Sequence, residues 1–209
     1  MRNRTENQIE LVLIRHGATK ANEERRYLGR TDEALSDRGK EKLLLRKKSA
    51  FYPAVDSLYG SPMKRCRQTA ALLYPQMDML PVREWIEMDF GAFEGKNYKE
   101  LQDDKRYQAF IDSNGSIPFP DGECREDFIE RCRKGLLRLI KQDGCQWKER
   151  VGLVVHGGTI MALLSSYTKK DYFDYQVPTG DGYSCKLKWS DASIAITDVK
   201  KLGKTEADK

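Results

Sequence analysis

The chain has 209 residues, 39% of them hydrophobic and 33% charged, with a formal net charge of +5 at pH 7. That length suits one α/β domain with a single sizeable core, and no apolar run approaches the roughly 20 residues of a membrane-crossing helix. No long basic block interleaved with aromatics argues for a nucleic-acid partner, and five cysteines without a CxxC pair, beside only two histidines, argue against a disulfide framework or a histidine-rich metal site. The opening MRNRTENQIE is polar and lacks the apolar segment of a secretory signal, so a cytoplasmic location is expected.

Taken in chain order, Ile9 to Ile14 is a short apolar run broken only by Glu10, the pattern of a strand buried on both faces. Ser36 suits the N-cap of a helix in ALSDRGKEKLLLRKK. Val55 to Gly60 reads as a second strand, and SPMKRCRQTAALLY sets Ser61 as cap with Pro62 at the first helical position. MLPVRE reads as a third short strand, and helical patches at Tyr98–Asp103 and Arg106–Asp112 precede the loop GSIPFPDGE. In REDFIERCRKGLLRLIKQDG, residues Phe128, Ile129, Cys132, Leu136, Leu139 and Ile140 share one helical face, and Gly144 follows as a stop. VGLVV is another buried strand and GTIMALLSSY the helix after it. The stretch from Tyr183 to Lys200 alternates around a polar turn, as an edge hairpin does. Alternating strands and helices predict an α/β three-layer αβα sandwich with a mostly parallel central sheet flanked by helices. Residues 1–209 read as one domain, with a small helical insertion at about 95–122, a C-terminal hairpin and a solvated tail from about residue 200.

Each of the two histidines follows an aliphatic run and precedes a glycine, in LVLIRHGATKAN and in VGLVVHGG. In sheets of this kind ligands bind outside the carboxyl ends of the strands. His16 lies just past the first strand and His156 ends the strand of VGLVV, so adjacent strands bring both imidazoles to one crevice. Arg15 precedes the first histidine, Arg65 lies early in the helix after Ser61, and Glu87 follows the MLPVRE segment. Two histidines, two arginines and one acid at strand ends compose a site for an anionic group, most economically a phosphate.

The stretch RHGATKANEERRYLGRTDEALSDRG resembles the signature of the histidine phosphatase superfamily, the phosphoglycerate mutase-like group, through Arg-His-Gly followed by Thr19, Asn22, Arg26, Gly29 and Leu-Ser-x-x-Gly. SPMKRCRQTA, EMDFGAFEG, PDGE and VVHGG are similar to its next four blocks, in order, so the resemblance covers most of residues 9 to 165. It implies that His16 is a nucleophile that carries the phosphoryl group. It also implies that Arg15, Arg65 and His156 grip the phosphate oxygens, that Asn22 adds a neutral hydrogen bond, and that Glu87 gives a proton to the leaving oxygen. Gly17, Thr19, Leu28 and Gly29 would border the substrate, a small phosphate ester. No metal, cofactor or macromolecular partner is implied; oligomeric state stays open.

Elementary chemistry agrees with that allocation. A phosphomonoester repels nucleophiles by its own charge, and its transition state needs fixed positive charge around it. A neutral imidazole is nucleophilic near neutral pH, and a carboxylic acid with a raised pKa can protonate the leaving alkoxide. Two positions depart from the common pattern: Ala18 stands where many relatives have Glu or Gln, and Cys124, a poorer helix cap, stands where Ser is usual. Mutases of the group carry Arg and Tyr just after the proton donor and a longer insertion; here Met88 and Phe90 occupy those places, and only 29 positions separate Glu94 from Glu123. Hydrolysis is therefore expected over mutase activity. EMDFGAFEGKNYKELQDDKRYQAF most resembles the α-ribazole phosphatases, which act late in cobalamin assembly, with Tyr98, Tyr107, Phe110 and Phe119 as a possible lining for a ring-bearing leaving group. A non-catalytic phospho-ligand sensor is the alternative from another class, opposed by the retention of all five polar residues.

Overall fold

The computed structural model describes residues 7–203. Six strands form one sheet in the order β3-β2-β4-β1-β5-β6. They are β1 (Asn7–Arg15), β2 (Ser57–Gly60), β3 (Leu80–Pro81), β4 (Arg150–Val155), β5 (Gly182–Trp189) and β6 (Ile194–Lys201). The β3-β2, β2-β4 and β4-β1 junctions are parallel, while β1-β5 and β5-β6 are antiparallel. The sheet is thus a parallel half with an antiparallel hairpin added at β1.

Seven helices accompany it: α1 (Lys20–Glu23), α2 (Asp37–Lys48), α3 (Lys64–Leu73), α4 (Tyr98–Leu101), α5 (Lys105–Asp112), α6 (Arg125–Asp143) and α7 (Gly157–Tyr167). Alternation along β1 decides which helix meets which face. Leu11 and Leu13 pack with Phe128, Leu136, Ile160 and Leu163 of α6 and α7, whereas Val12 and Ile14 pack with Leu43, Cys66 and Leu73 of α2 and α3. Successive strand side chains point to opposite faces, so the stretch Leu11–Ile14, apolar at every position, requires helices on both sides, and the three-layer expectation holds.

Several boundaries differ from the sequence reading. The second strand starts at Ser57, not Val55, and the third shrinks to two residues because Arg83–Trp85 turns into a 3-10 helix. Ser61 does not cap α3: the helix begins at Lys64 after Met63 in an extended conformation, with no side-chain cap. Ser36 does cap α2 by accepting from Gly39 N–H, and the Cys124 thiol accepts from Asp127 N–H at 3.4 Å. Gly144 ends α6 without a left-handed turn, at φ −55°. The expected tail starts too early, since Lys200 and Lys201 belong to β6 and Leu202 N–H bonds the Gly182 carbonyl; the rest of that tail and the first six residues lie outside the described part.

Candidate active site

The parallel pairing of β1 with β4 sets Arg15 opposite Val155. The residues that follow, His16 and His156, are therefore brought side by side with ring centroids 5.1 Å apart, although 140 positions separate them. Both are closed from solvent, at 3% and 0% exposure. Their glycines answer to space. A Cβ on Gly17 would stand 2.6 Å from Leu43 Cδ1; after His156 it is the second glycine, Gly158, whose Cβ would meet the Glu87 carboxylate, while one on Gly157 would lie at ordinary contact, 3.4 Å from Arg15.

His16 Nδ1 lies 2.7 Å from the Gly17 carbonyl oxygen. A carbonyl only accepts, so Nδ1 carries the proton and, in the neutral ring, Nε2 keeps its lone pair. Burial, then the Arg65 and Arg15 charges, hold the His16 pKa well below its ordinary value, which keeps the ring neutral. His156 is fixed in the same way. Arg65 Nε–H donates to its Nδ1 at 3.2 Å, so Nε2–H donates to Ser61 Oγ at 2.8 Å. Ser61, assigned to a helix cap by its sequence position, instead orients this histidine; the competing hydroxyl partner is what moves the start of α3. Both nitrogens of His156 are thereby engaged inside the protein.

Arg65 is fully buried, and its partners are neutral: the imidazole, the Thr31 carbonyl at 2.9 Å and the Gly29 carbonyl at 2.8 Å. Those two carbonyls belong to a loop pinned from the other side, because the Glu94 carboxylate accepts Gly29 N–H at 2.8 Å and Thr31 N–H at 2.9 Å. Thr69 accepts Gly17 N–H and donates to the Arg65 carbonyl. Glu94 and Thr69 both lay within motifs read from the sequence, yet no spacing argument gave them a role, because the N–H groups they accept belong to residues distant in the chain.

Arg15 donates Nη1–H to the Val177 carbonyl at 2.7 Å, while its Nε is buried with no hydrogen-bond partner among the described residues. Glu87, 7% exposed, accepts Met88 N–H at 2.9 Å and Gly158 N–H at 3.3 Å. Burial raises its pKa from the ordinary carboxylate value, against the pull of those N–H groups and of Arg65 and Arg15.

Two clefts meet at Arg15, Glu87, Tyr27, Phe90 and Pro178. One, of about 580 Å³, holds Asn22 and Leu28 with Arg25, Arg38 and Lys42 on its rim. The other, of about 800 Å³, is aromatic, with Phe110, Phe119, Tyr172, Phe173 and Met161 in its walls. Of the residues expected to border a ligand, Asn22 and Leu28 line the smaller cleft, while Gly17, Thr19 and Gly29 line neither: Gly17 N–H donates to Thr69, Thr19 is fully buried and caps α1, exchanging hydrogen bonds with Asn22, and the Gly29 carbonyl anchors Arg65. Tyr98 is 53% exposed and lines neither cleft, and Tyr107 lies behind, edge-on to Phe93. Among the described residues no group of three or more His, Cys, Asp or Glu is arranged to hold a metal ion, and no helix is long and apolar enough to cross a membrane.

Residues 11–199 match the histidine phosphatase superfamily (branch 1), and the chain belongs to it. Among similar proteins, phosphoglycerate mutase-like protein 4 of Arabidopsis thaliana is 29% identical over 162 residues, 74% of this chain and 69% of that protein. Phosphoserine phosphatase 1 of Hydrogenobacter thermophilus is 27% identical over 159 residues, 74% of each chain. The bifunctional protein Rv2228c of Mycobacterium tuberculosis is 28% identical over 196 residues, 90% of this chain, which spans only 50% of that protein. The α-ribazole phosphatase of Shigella flexneri shares the fold with a TM-score of 0.75 at 23% identity, over 91% of this chain and 96% of that one.

Proposed function

We propose that this member of the histidine phosphatase superfamily hydrolyses phosphomonoesters through a phosphohistidine on His16. One observation carries the reading: a neutral imidazole with a free Nε2 lone pair stands beside two guanidiniums, the half-buried Arg15 with a buried, unpartnered Nε and the fully buried Arg65 with only neutral partners. A buried donor left unpaired costs about 1–3 kcal/mol, and a phosphate oxygen would satisfy it with a charge-assisted bond.

In the first step His16 Nε2 attacks phosphorus and the bond to the ester oxygen breaks. That oxygen keeps the electron pair and takes the proton of Glu87. In the second step water attacks phosphorus, Glu87 recovers a proton from it, the P–N bond breaks, and neutral His16 returns. Arg15 and Arg65 neutralise the equatorial oxygens throughout, with Asn22, which lines the same cleft as Arg15, as a neutral donor. His156, held by Ser61 and Arg65, completes the polar floor. The mechanism asks nothing of a metal, so turnover should survive a chelator.

The aromatic cleft favours an ester with a ring-bearing leaving group, and α-ribazole 5′-phosphate is one such ester. Met88 and Phe90 line that cleft where the group's mutases hold a carboxylate, which argues for water as the acceptor. Alkaline quench of turnover with a labelled aryl phosphate should trap base-stable, acid-labile phosphate on the wild-type protein and none on His16→Ala. Turnover without trapped label, or label retained by His16→Ala, would overturn the assignment.

A further inference from the structure

The rim of the smaller cleft carries three cations that the hydrolytic scheme does not use. Arg25, Arg38 and Lys42 are exposed, and none of their side chains has a hydrogen bond or ion pair among the described residues. Arg26, in the same cleft, is spent on Glu24 and Glu100, and the nearby Glu23 carboxylate accepts from the Ser36 hydroxyl. The lining of that cleft thus holds three free positive charges, with Glu23 and, at the junction with the aromatic cleft, Glu87 as its carboxylates.

Local structure opposes this arrangement rather than producing it. Arg38 and Lys42 lie four apart on α2, where like charges repel. Arg38 also sits in the first turn of that helix, the end that favours anions. Arg25 adopts φ 55°, a left-handed conformation that disfavours a side chain. Three local penalties converging on one cleft wall point to a ligand that compensates them.

We propose that the rim binds a second phosphate on the leaving group, so that the preferred substrate is a ring-bearing bisphosphate: one phosphate on the His16 floor, the ring in the aromatic cleft, the other phosphate against Arg25, Arg38 and Lys42. Two guanidiniums and an ammonium offer more donors than a carboxylate's two oxygens can use, which favours phosphate. The inference rests on the hydrolase reading for the reacting phosphate, and it narrows the ring-bearing class beyond α-ribazole 5′-phosphate, which has one phosphate.

The test compares adenosine 3′,5′-bisphosphate with adenosine 5′- and 3′-monophosphates on wild type and on Arg25→Ala/Arg38→Ala/Lys42→Ala. Wild type should prefer the bisphosphate by about tenfold or more in kcat/KM, and the triple variant should bring that ratio to within about twofold. Equal use of mono- and bisphosphate by wild type overturns the proposal. So does an equal loss on both in the triple variant, which would mean that the rim only concentrates anions. Calorimetric binding of the same three nucleotides to His16→Ala keeps the question separate from catalysis: a bisphosphate preference that depends on the three cations supports the rim even if hydrolysis fails, and no preference overturns it.

Discussion

On the floor of the site, His16, Arg65, His156 and Glu87 are at most 7% exposed, and each is held by a backbone group or a buried neighbour. Across the cleft, α5 contributes no buried side chain, Ile111 is 48% exposed and Phe173 47%. The floor is fixed before any ligand arrives, as stabilisation of a charged transition state requires, since dipoles that must reorient give little. The aromatic side is exposed surface that a ligand can cover, as selection of a leaving group requires. Chemistry and choice of substrate are thus separable in this molecule, and substitutions on the two sides should have different kinetic signatures.

The largest effect should come from His16→Ala, with a loss in kcat on the order of 10⁴-fold or more, since nothing else on the floor can accept the phosphoryl group. Steady-state turnover of p-nitrophenyl phosphate measures it, and a loss below tenfold would break the distinction between floor and wall.

Glu87→Gln should cost roughly 10²–10⁴-fold on alkyl phosphates and far less on p-nitrophenyl phosphate, whose leaving group needs little protonation. The pH profile sharpens the point. The proposed chemistry needs His16 neutral and Glu87 protonated. At their ordinary values of 6.5 and 4.5 those conditions exclude each other over most of the pH range, and burial moves them toward each other by lowering the one and raising the other. The rising limb of kcat/KM therefore belongs to His16 and the falling limb to Glu87, and Glu87→Gln should lose only the falling limb. Stability carries the opposite sign for the two groups. Unfolded histidine binds protons that buried His16 and His156 refuse, so their contribution is complete above 6.5 and is lost as pH falls below it. The raised Glu87 contributes below 4.5 and loses its contribution as pH rises through its folded value.

Glu94→Ala should act at a distance. It frees the Gly29 and Thr31 N–H groups whose residues hold Arg65. A penalty of about 1–3 kcal/mol for such groups predicts a loss of roughly five- to 150-fold in kcat/KM, together with weaker inhibition by inorganic phosphate. Unchanged phosphate inhibition would mean that Arg65 stays in place without the loop.

Phe110→Ala should have the smallest effect. An aromatic contact contributes about 0.5–1.5 kcal/mol beyond its area, so KM for nucleoside or aryl phosphates should rise several-fold more than KM for a short alkyl phosphate. A fall in kcat with KM unchanged would place Phe110 on the chemical rather than the selective side.

The comparison also separates what local sequence encodes from what it does not. The strand of residues 9–14 was legible because its aliphatic stretch Leu11–Ile14 fits only a sheet covered on both faces, and α2 and α6 because caps and a 3.6-residue period are local signals. The arginines, histidines and Glu87 were legible because strand ends in a parallel sheet converge on one crevice. Ser61 was misread for an equally physical reason: the Ser-Pro pair carries a local helix-start signal, and the hydroxyl found a stronger partner 95 positions away.

By itself the sequence determined the layers, the strand-end location of the reactive residues and the family, since each follows from periodicity or from residues in fixed local spacing. Tertiary structure alone decided which imidazole nitrogen is free, that Arg65 is fastened by a loop which Glu94 pins, that Thr19 caps rather than borders the cleft, and that Arg25, Arg38 and Lys42 share one wall. Those properties depend on burial and on pairing between distant backbone groups, and burial and pairing exist only once the layers have closed.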